Sequence, residues 1–185
     1  MIRCYVTDRC HGDVMAAVRN AVANGVDYIQ VREKDLSARE LTMLVSQVRD
    51  LAAGSSTRVL VNDRLDVALA TGVDGVHLPS NGLPADRVRP FVRLLGVSTH
   101  SIEEARAAEH ARADFIFFGP VFETPGKTPV GLSALRDVVA AVKIPVLAIG
   151  GITSSNAQSI LDVGASGFAA MRMFQTLSGD SRVHG

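Results

Sequence analysis

The chain is predicted to be an α/β protein folded as a single-domain TIM (β/α)8 barrel over residues 1–185, and three observations carry that prediction. Eight short apolar runs, rich in Val, Ile and Phe, alternate with helical segments, as strands buried on both faces of a parallel sheet require. Five of the runs end in polar or small residues: Arg32, Glu33 and Lys34; Asn62 and Asp63; Ser98, Thr99 and His100; Gly119 and Pro120; Gly150 and Gly151. A parallel barrel delivers the last residues of every strand to one face, so these groups are expected to share a pocket. Finally, ANGVDYIQVRE, ATGVDGVHLPS, HARADFIFFGP and DVGASGFAAMR repeat one pattern, helix end, small residue, acidic or small residue, strand, at a spacing that fits two βα units per period.

The strands are expected near 2–7, 28–33, 58–62, 75–78, 94–98, 115–119, 145–149 and 167–172. Helices are expected near 13–24, 37–53, 64–71, 84–92, 102–112, 131–142 and 154–163. Ser37 with Glu40, and Ser101 with Glu104, have capping-box spacing, while Gly25, Gly72 and Gly164 stand where helices end. The irregular stretch 120–131, PVFETPGKTPVG, reads as a flexible lid carrying Lys127. A doubly wound open sheet would want a Gly-rich fingerprint after the first strand, and this chain has none there. The stretch after the last strand, FQTLSGDSRVHG, predicts a short C-terminal closing segment, and a flank left thin in that way suggests a homodimer.

Composition narrows the function classes. A chain of 185 residues, 47% hydrophobic and 21% charged, suits one soluble domain with a sizeable core. Lys plus Arg and Asp plus Glu both total 19, so the overall field draws the protein to neither nucleic acid nor an anionic membrane, and any anion site must be local. Cys4 and Cys10 are the only cysteines and read as reduced thiols. MIRCYVTDR lacks a secretory pattern and no apolar stretch approaches the ~18 residues of a membrane span, so a cytoplasmic location is expected.

Several strand ends carry candidate chemistry. Gly150 and Gly151, between a strand and a helix, can bring backbone amides up to a phosphate, or can serve only a tight turn. Arg32, Lys34 and Lys127 can form a second anion site, although a charged triplet such as REK also suits a solvated helix entry. Asn62 and Asp63 can hold a hydrated Mg2+ that borrows substrate phosphate oxygens, or can cap the helix after them. His100, just past LLGVST, can serve as acid and base or can hydrogen-bond the next helix. His77, within GVHLP, is read as a strand residue, and His11, His110 and His184 are given no role.

The series IQVREK, VNDRLDVALATGVDGVHL, GVSTHSIEEA, DFIFFGPVFETPGK, IPVLAIGGI and GASGFAAMR resembles the thiamin phosphate synthase and TenI family, and does so in order over nearly the whole chain. That resemblance implies a (β/α)8 barrel of thiamin biosynthesis from one of two arms. Synthases join a pyrimidine diphosphate to a thiazole phosphate and expel diphosphate with Mg2+; TenI-type tautomerases aromatise a thiazole carboxylate phosphate by moving a proton. On the synthase side, the resemblance assigns Gln30, Arg32 and Lys34 to the pyrimidine diphosphate, and Asn62 and Asp63 to diphosphate and Mg2+. Ser98, Thr124 and Lys127 match as well. Three positions depart from the synthase pattern: Gly82 stands where a second magnesium-ligating Asp is usual, Gly126 replaces a lid Thr, and Arg172 replaces a phosphate-site Ser.

HLPS, THSIEEA and FGPVFET resemble the TenI arm, which uses a His at the position of His100. The reading placed first is therefore a TenI-like enzyme in which His100 moves the proton and no cofactor is required. The thiazole phosphate would rest on Gly150, Gly151 and the amides near Met171 and Arg172, with Arg172 either strengthening or blocking that site. The alternatives are a divergent synthase in which Asp63 alone carries Mg2+, and a non-catalytic barrel that binds thiazole or thiamin phosphate.

Overall fold

In the computed structural model, which describes residues 1–175, eight parallel strands close into a barrel in sequence order. They are β1 (Ile2–Val6), β2 (Tyr28–Val31), β3 (Arg58–Asn62), β4 (Gly75–Leu78), β5 (Leu94–Thr99), β6 (Phe115–Phe118), β7 (Val146–Ile149) and β8 (Gly167–Ala170). The register closes through Ile2 beside Gly167 and Cys4 beside Ala169. Helices α1 (Val14–Ala23), α2 (Ala38–Ala52), α3 (Leu65–Thr71), α4 (Ala85–Val88), α5 (Ile102–His110), α6 (Gly131–Ala141), α7 (Ala157–Asp162) and α8 (Arg172–Gln175) come after the strands in turn. The closing segment expected over 174–185 lies, beyond Gln175, outside the described residues.

Strand alternation separates two cores. Cys4, Val6, Leu60, Leu94, Phe115, Phe117, Leu147 and Ala169 pack together inside the barrel, while Tyr5, Ile29, Val31, Val61, Val76, Ile116 and Phe168 pack outward against the helices. The Ser37 and Glu40 capping box forms in full at the start of α2. At α5 the expected box is altered: Ser101 Oγ accepts from Glu104 N–H, but the Glu104 carboxylate accepts from His100 N–H at 2.7 Å and so fixes that residue's backbone. The helix expected over 84–92 is instead one turn of α-helix, α4, and a 3-10 turn at Arg89–Phe91, where Pro90 cannot donate to a continuing helix. The helix expected from 154 starts at Ala157, because Thr153 and Asn156 form a turn of their own, with Thr153 N–H donating to Asn156 Oδ1 at 2.8 Å.

The sequence period has a structural cause. Asp27, Asp74 and Asp114 precede β2, β4 and β6, and each reaches back to the preceding strand: Arg3 N–H donates to Asp27 at 2.7 Å, Val59 N–H to Asp74 at 2.8 Å, and Leu95 N–H to Asp114 at 2.7 Å. Each Asp backbone N–H also donates to the carbonyl of that same residue, Arg3, Val59 or Leu95. The fourth unit has Ser166 at this place, and its backbone N–H donates to Val146 O at 2.9 Å. These clamps tie the N-terminal ends of the barrel strands and leave the C-terminal ends to the site.

Candidate active site

At the C-terminal mouth the inward-facing residues of the strands come together. Val6, Gln30, Asn62, His77, Ser98, Phe117 and Ile149 surround a cavity of about 290 Å³, with Arg32, Lys34, Thr99, His100, Thr124, Lys127, Gly150 and Met171 around them. Arg32, Lys34 and Lys127 thus share one cavity, and among the described residues no carboxylate belongs to its lining. Lys127, expected on a flexible lid, is already at the site. Its segment is held: Val121 N–H donates to Ile149 O at 2.9 Å, Phe122 N–H to Gly150 O at 3.1 Å and Val130 N–H to Pro120 O at 2.8 Å, while Thr124 and Lys127 form a small antiparallel bridge.

The floor of the cavity is an amide and imidazole network. Gln30 Nε2 donates to Asn62 Oδ1 at 2.9 Å and meets His77 Nδ1 at 3.1 Å. Since an amide NH2 only donates, His77 Nδ1 accepts and its proton sits on Nε2. Burial, with the Arg32 charge adding to it, pushes the His77 pKa down to about 3, so the ring is neutral. Gln30 Oε1 and His77 Nε2 are buried and find no partner among the described residues. Both atoms are shut off from solvent, so they lie behind the floor rather than open to the cavity. His77 is a strand residue, as its sequence context predicts, and is part of the site as well. It lies two residues after Gly75 on the inward parity of β4, which the unbroken buried run GVHL does not mark in the sequence.

His100 borders the same cavity. Its Nδ1 lies 2.7 Å from Gly119 O, and because a carbonyl only accepts, Nδ1 is the donor in that bond.

Three expected residues are placed differently. Gly150 borders the cavity but Gly151 does not; a Cβ at Gly151 would lie 2.5 Å from Glu123 O and 2.7 Å from Phe122 Cβ, so this glycine admits the 120–131 segment against the turn. Arg172 opens α8 as an exposed residue and is not in the cavity lining, whereas Met171 beside it is. Asp63 lines an adjoining cleft of about 270 Å³ together with Glu33, Lys34 and Asn62, so Lys34 and Asn62 are common to both spaces.

The donor set around Asp63 bears on Mg2+. No group of three or more His, Cys, Asp or Glu side chains gathers among the described residues in a way that could hold a metal. The position where a second carboxylate would stand is against Asp63: a Cβ at Gly82 would lie 2.9 Å from Asp63 Oδ1. One carboxylate beside a cation-lined cavity suited to phosphate fits the manner in which Mg2+ is commonly held, by one or two carboxylates with waters and substrate phosphate oxygens. It does not fit a cation caged by protein alone.

The fold and this site define a class, a (β/α)8 barrel that collects cations and a polar heterocycle floor at the C-terminal mouth. The comparisons agree with that class and narrow it. The family profile described as thiamine monophosphate synthase matches residues 4–174. A thiamine-phosphate synthase of Methanocella arvoryzae is 44% identical over 160 residues, covering 83% of this chain and 76% of the relative. One from Moorella thermoacetica is 43% identical over 161 residues, covering 83% and 77%. Among solved structures, the thiamine phosphate pyrophosphorylase of Pyrococcus furiosus superposes with a TM-score of 0.87 at 36% identity, covering 97% of this chain and 88% of that one. The chain belongs to the thiamine monophosphate synthase family. These relatives carry synthase names, which favours the synthase arm over the TenI-like reading placed first from sequence. No helix among the described residues is long and apolar enough to cross a membrane.

Proposed function

We propose that the chain is a thiamin phosphate synthase, joining hydroxymethylpyrimidine diphosphate to thiazole phosphate with release of diphosphate. The observation that carries this is the convergence of Arg32, Lys34 and Lys127 on a cavity with no carboxylate among its described lining residues, floored by the Gln30, Asn62 and His77 network. The three cations answer a diphosphate, and the Gln30 and Asn62 amides at the floor answer a pyrimidine edge. The C–O bond between the pyrimidine methylene and the diphosphate breaks as the thiazole nitrogen forms the new C–N bond. Negative charge builds on the leaving diphosphate, where a bidentate Arg and two Lys point charges stabilise it most. Gly150, bordering the same cavity from the β7 turn, would bring its backbone up to the thiazole phosphate. Mg2+, held by Asp63 and substrate oxygens, would neutralise part of the diphosphate charge.

The test is incubation of the pure protein with both substrates and Mg2+, with thiamin phosphate followed by chromatography. Arg32→Ala and Lys34→Ala are expected to lower kcat/KM by about 10²- to 10³-fold, the usual loss when one charge-stabilising donor is removed. Failure to form thiamin phosphate at saturating substrates would sink the proposal. The His100 geometry favours a second reading, since the ring is oriented by its Nδ1 contact with Gly119 O and the residue lines the cavity. That reading takes over if the protein instead aromatises a thiazole carboxylate phosphate and His100→Ala abolishes the conversion.

A further inference from the structure

We propose that Thr7 and Glu33 are positioning residues for the anion grip, holding Arg32 and Lys34 toward the cavity through a buried relay between the ends of β1 and β2. Thr7 is fully buried just past β1, and Glu33 is 6% exposed. The Thr7 hydroxyl accepts from Arg32 N–H at 3.0 Å and donates to Glu33 Oε1 at 2.6 Å. Thr7 N–H in turn donates to Gln30 O at 3.0 Å. Behind Glu33, Arg9 N–H donates to both carboxylate oxygens, at 3.2 and 3.3 Å, and Arg9 Nε lies 3.7 Å from Oε2. The far end of Arg9 pairs with Asp35.

Along 30–34 the chain thus alternates in purpose. Gln30, Arg32 and Lys34 border the cavity, and Glu33 between them turns back into the relay. A buried carboxylate is costly unless it is paired and hydrogen-bonded, and here its partners are supplied by the β1 end. The relay has two effects. It fixes the backbone at Arg32, where a small displacement would carry the guanidinium away from an anion. It also sets the Glu33 carboxylate behind cations that otherwise repel each other in a lining with no carboxylate among the described residues.

The proposal rests on the anion-binding reading of the cavity, and the test separates the two. Inorganic diphosphate is titrated calorimetrically into wild type, Thr7→Val, Thr7→Ser, Glu33→Gln and Arg32→Ala, and KM is measured for each substrate. Thr7→Val keeps the side-chain shape and removes both hydroxyl bonds. It is expected to weaken diphosphate binding and raise KM for the pyrimidine diphosphate by ~10-fold, with KM for thiazole phosphate within twofold of wild type. Thr7→Ser should restore both. Wild-type diphosphate affinity in a folded Thr7→Val, or an equal rise in both KM values, would overturn the relay. Should Thr7→Val not fold, Glu33→Gln is read in its place: at least threefold weaker diphosphate binding is expected, and wild-type affinity overturns the proposal. If Arg32→Ala binds diphosphate as wild type does, the anion reading falls and the relay with it. If Arg32→Ala is weak while Thr7→Val is not, the anion reading stands alone.

Discussion

His77 shows how one buried side chain links stability to the site. Its ring centroid lies 4.0 Å from that of Phe117 and 5.9 Å from that of Phe115, and a Cβ at Gly96 would come within 2.5 Å of its Cδ2. Gly96 is therefore what admits the imidazole and Phe115 side by side on the inner wall. Because burial holds the folded pKa at about 3, below the ordinary 6.5, the unfolded chain binds the extra proton first as pH falls. The stability associated with a neutral His77 is fully present above pH ~6.5 and is lost as pH falls toward 3. At pH 5 the loss is about 2 kcal/mol, and His77→Gln, which has no such proton to take up, should lack that part of the slope. Urea unfolding at pH 7.5 and pH 5 checks this; an equal pH slope in wild type and His77→Gln would refute it. From sequence this residue was hard to place because GVHL is an unbroken buried run, all four residues being buried, and such a run does not reveal which parity faces inward. Asn62 and Ser98 were legible because each is a polar residue at or next to the end of an apolar strand, whereas Gln30, inside β2, was reached only through the family resemblance.

At the scale of elements, the β7 turn and the 119–131 segment act as one unit. Ile149 and Gly150 carbonyls accept from Val121 and Phe122, and the turn glycines lie under the segment they hold. Gly150 has φ +95°, and a Cβ there would meet Pro120 Cβ at 2.4 Å and Pro120 Cα at 2.6 Å. Gly150→Ala therefore combines backbone strain with overpacking and is expected to cost about 3 kcal/mol. It should also displace the segment that carries Thr124 and Lys127, so kcat/KM falls by at least ~10-fold even where the protein remains folded. Denaturation and steady-state assays on the same preparation check both effects, and a stable variant with wild-type kcat/KM would show that the segment is not held through Gly150. The glycines and prolines of 120–131 pointed to flexibility because composition records only the chain's own freedom. The bonds that pin the segment come from a turn some 25–30 residues later, and no local pattern encodes them. The same holds for Gly151, whose sequence context suits a phosphate turn while its structural need is the close approach of Phe122 and Glu123.

Across the whole molecule, the division between a stabilising end and a reactive end rests on the three aspartate clamps. Asp27, Asp74 and Asp114 occur once per two βα units, which is why the barrel and its period were legible from sequence while the spacing of the clamps explains neither arm of the chemistry. Removing one leaves a strand N–H without its side-chain acceptor, at Arg3, Val59 or Leu95. Each of Asp27→Ala, Asp74→Ala and Asp114→Ala is expected to cost about 1–2 kcal/mol. The Asp114 value should lie at the upper end, because Arg89 Nη1 also donates to that carboxylate at 2.6 Å and would keep only the Arg112 carbonyl, at 3.2 Å. The clamped strands are separated by an intervening strand, roughly 10 Å from one clamp to the next at the ordinary strand spacing, so the costs should add to within about 0.5 kcal/mol in the double variant Asp27→Ala/Asp74→Ala. None of the three touches the C-terminal mouth, and in barrels of this kind the N-terminal face serves stability. Urea midpoints should therefore drop at constant m-value while kcat/KM stays within about twofold of wild type at temperatures where the variants remain folded. A clamp variant that loses activity at full folding would show that the two ends of the barrel are coupled through the strands, and a double variant that costs far more than the sum would show that the clamps act as a ring rather than as separate ties.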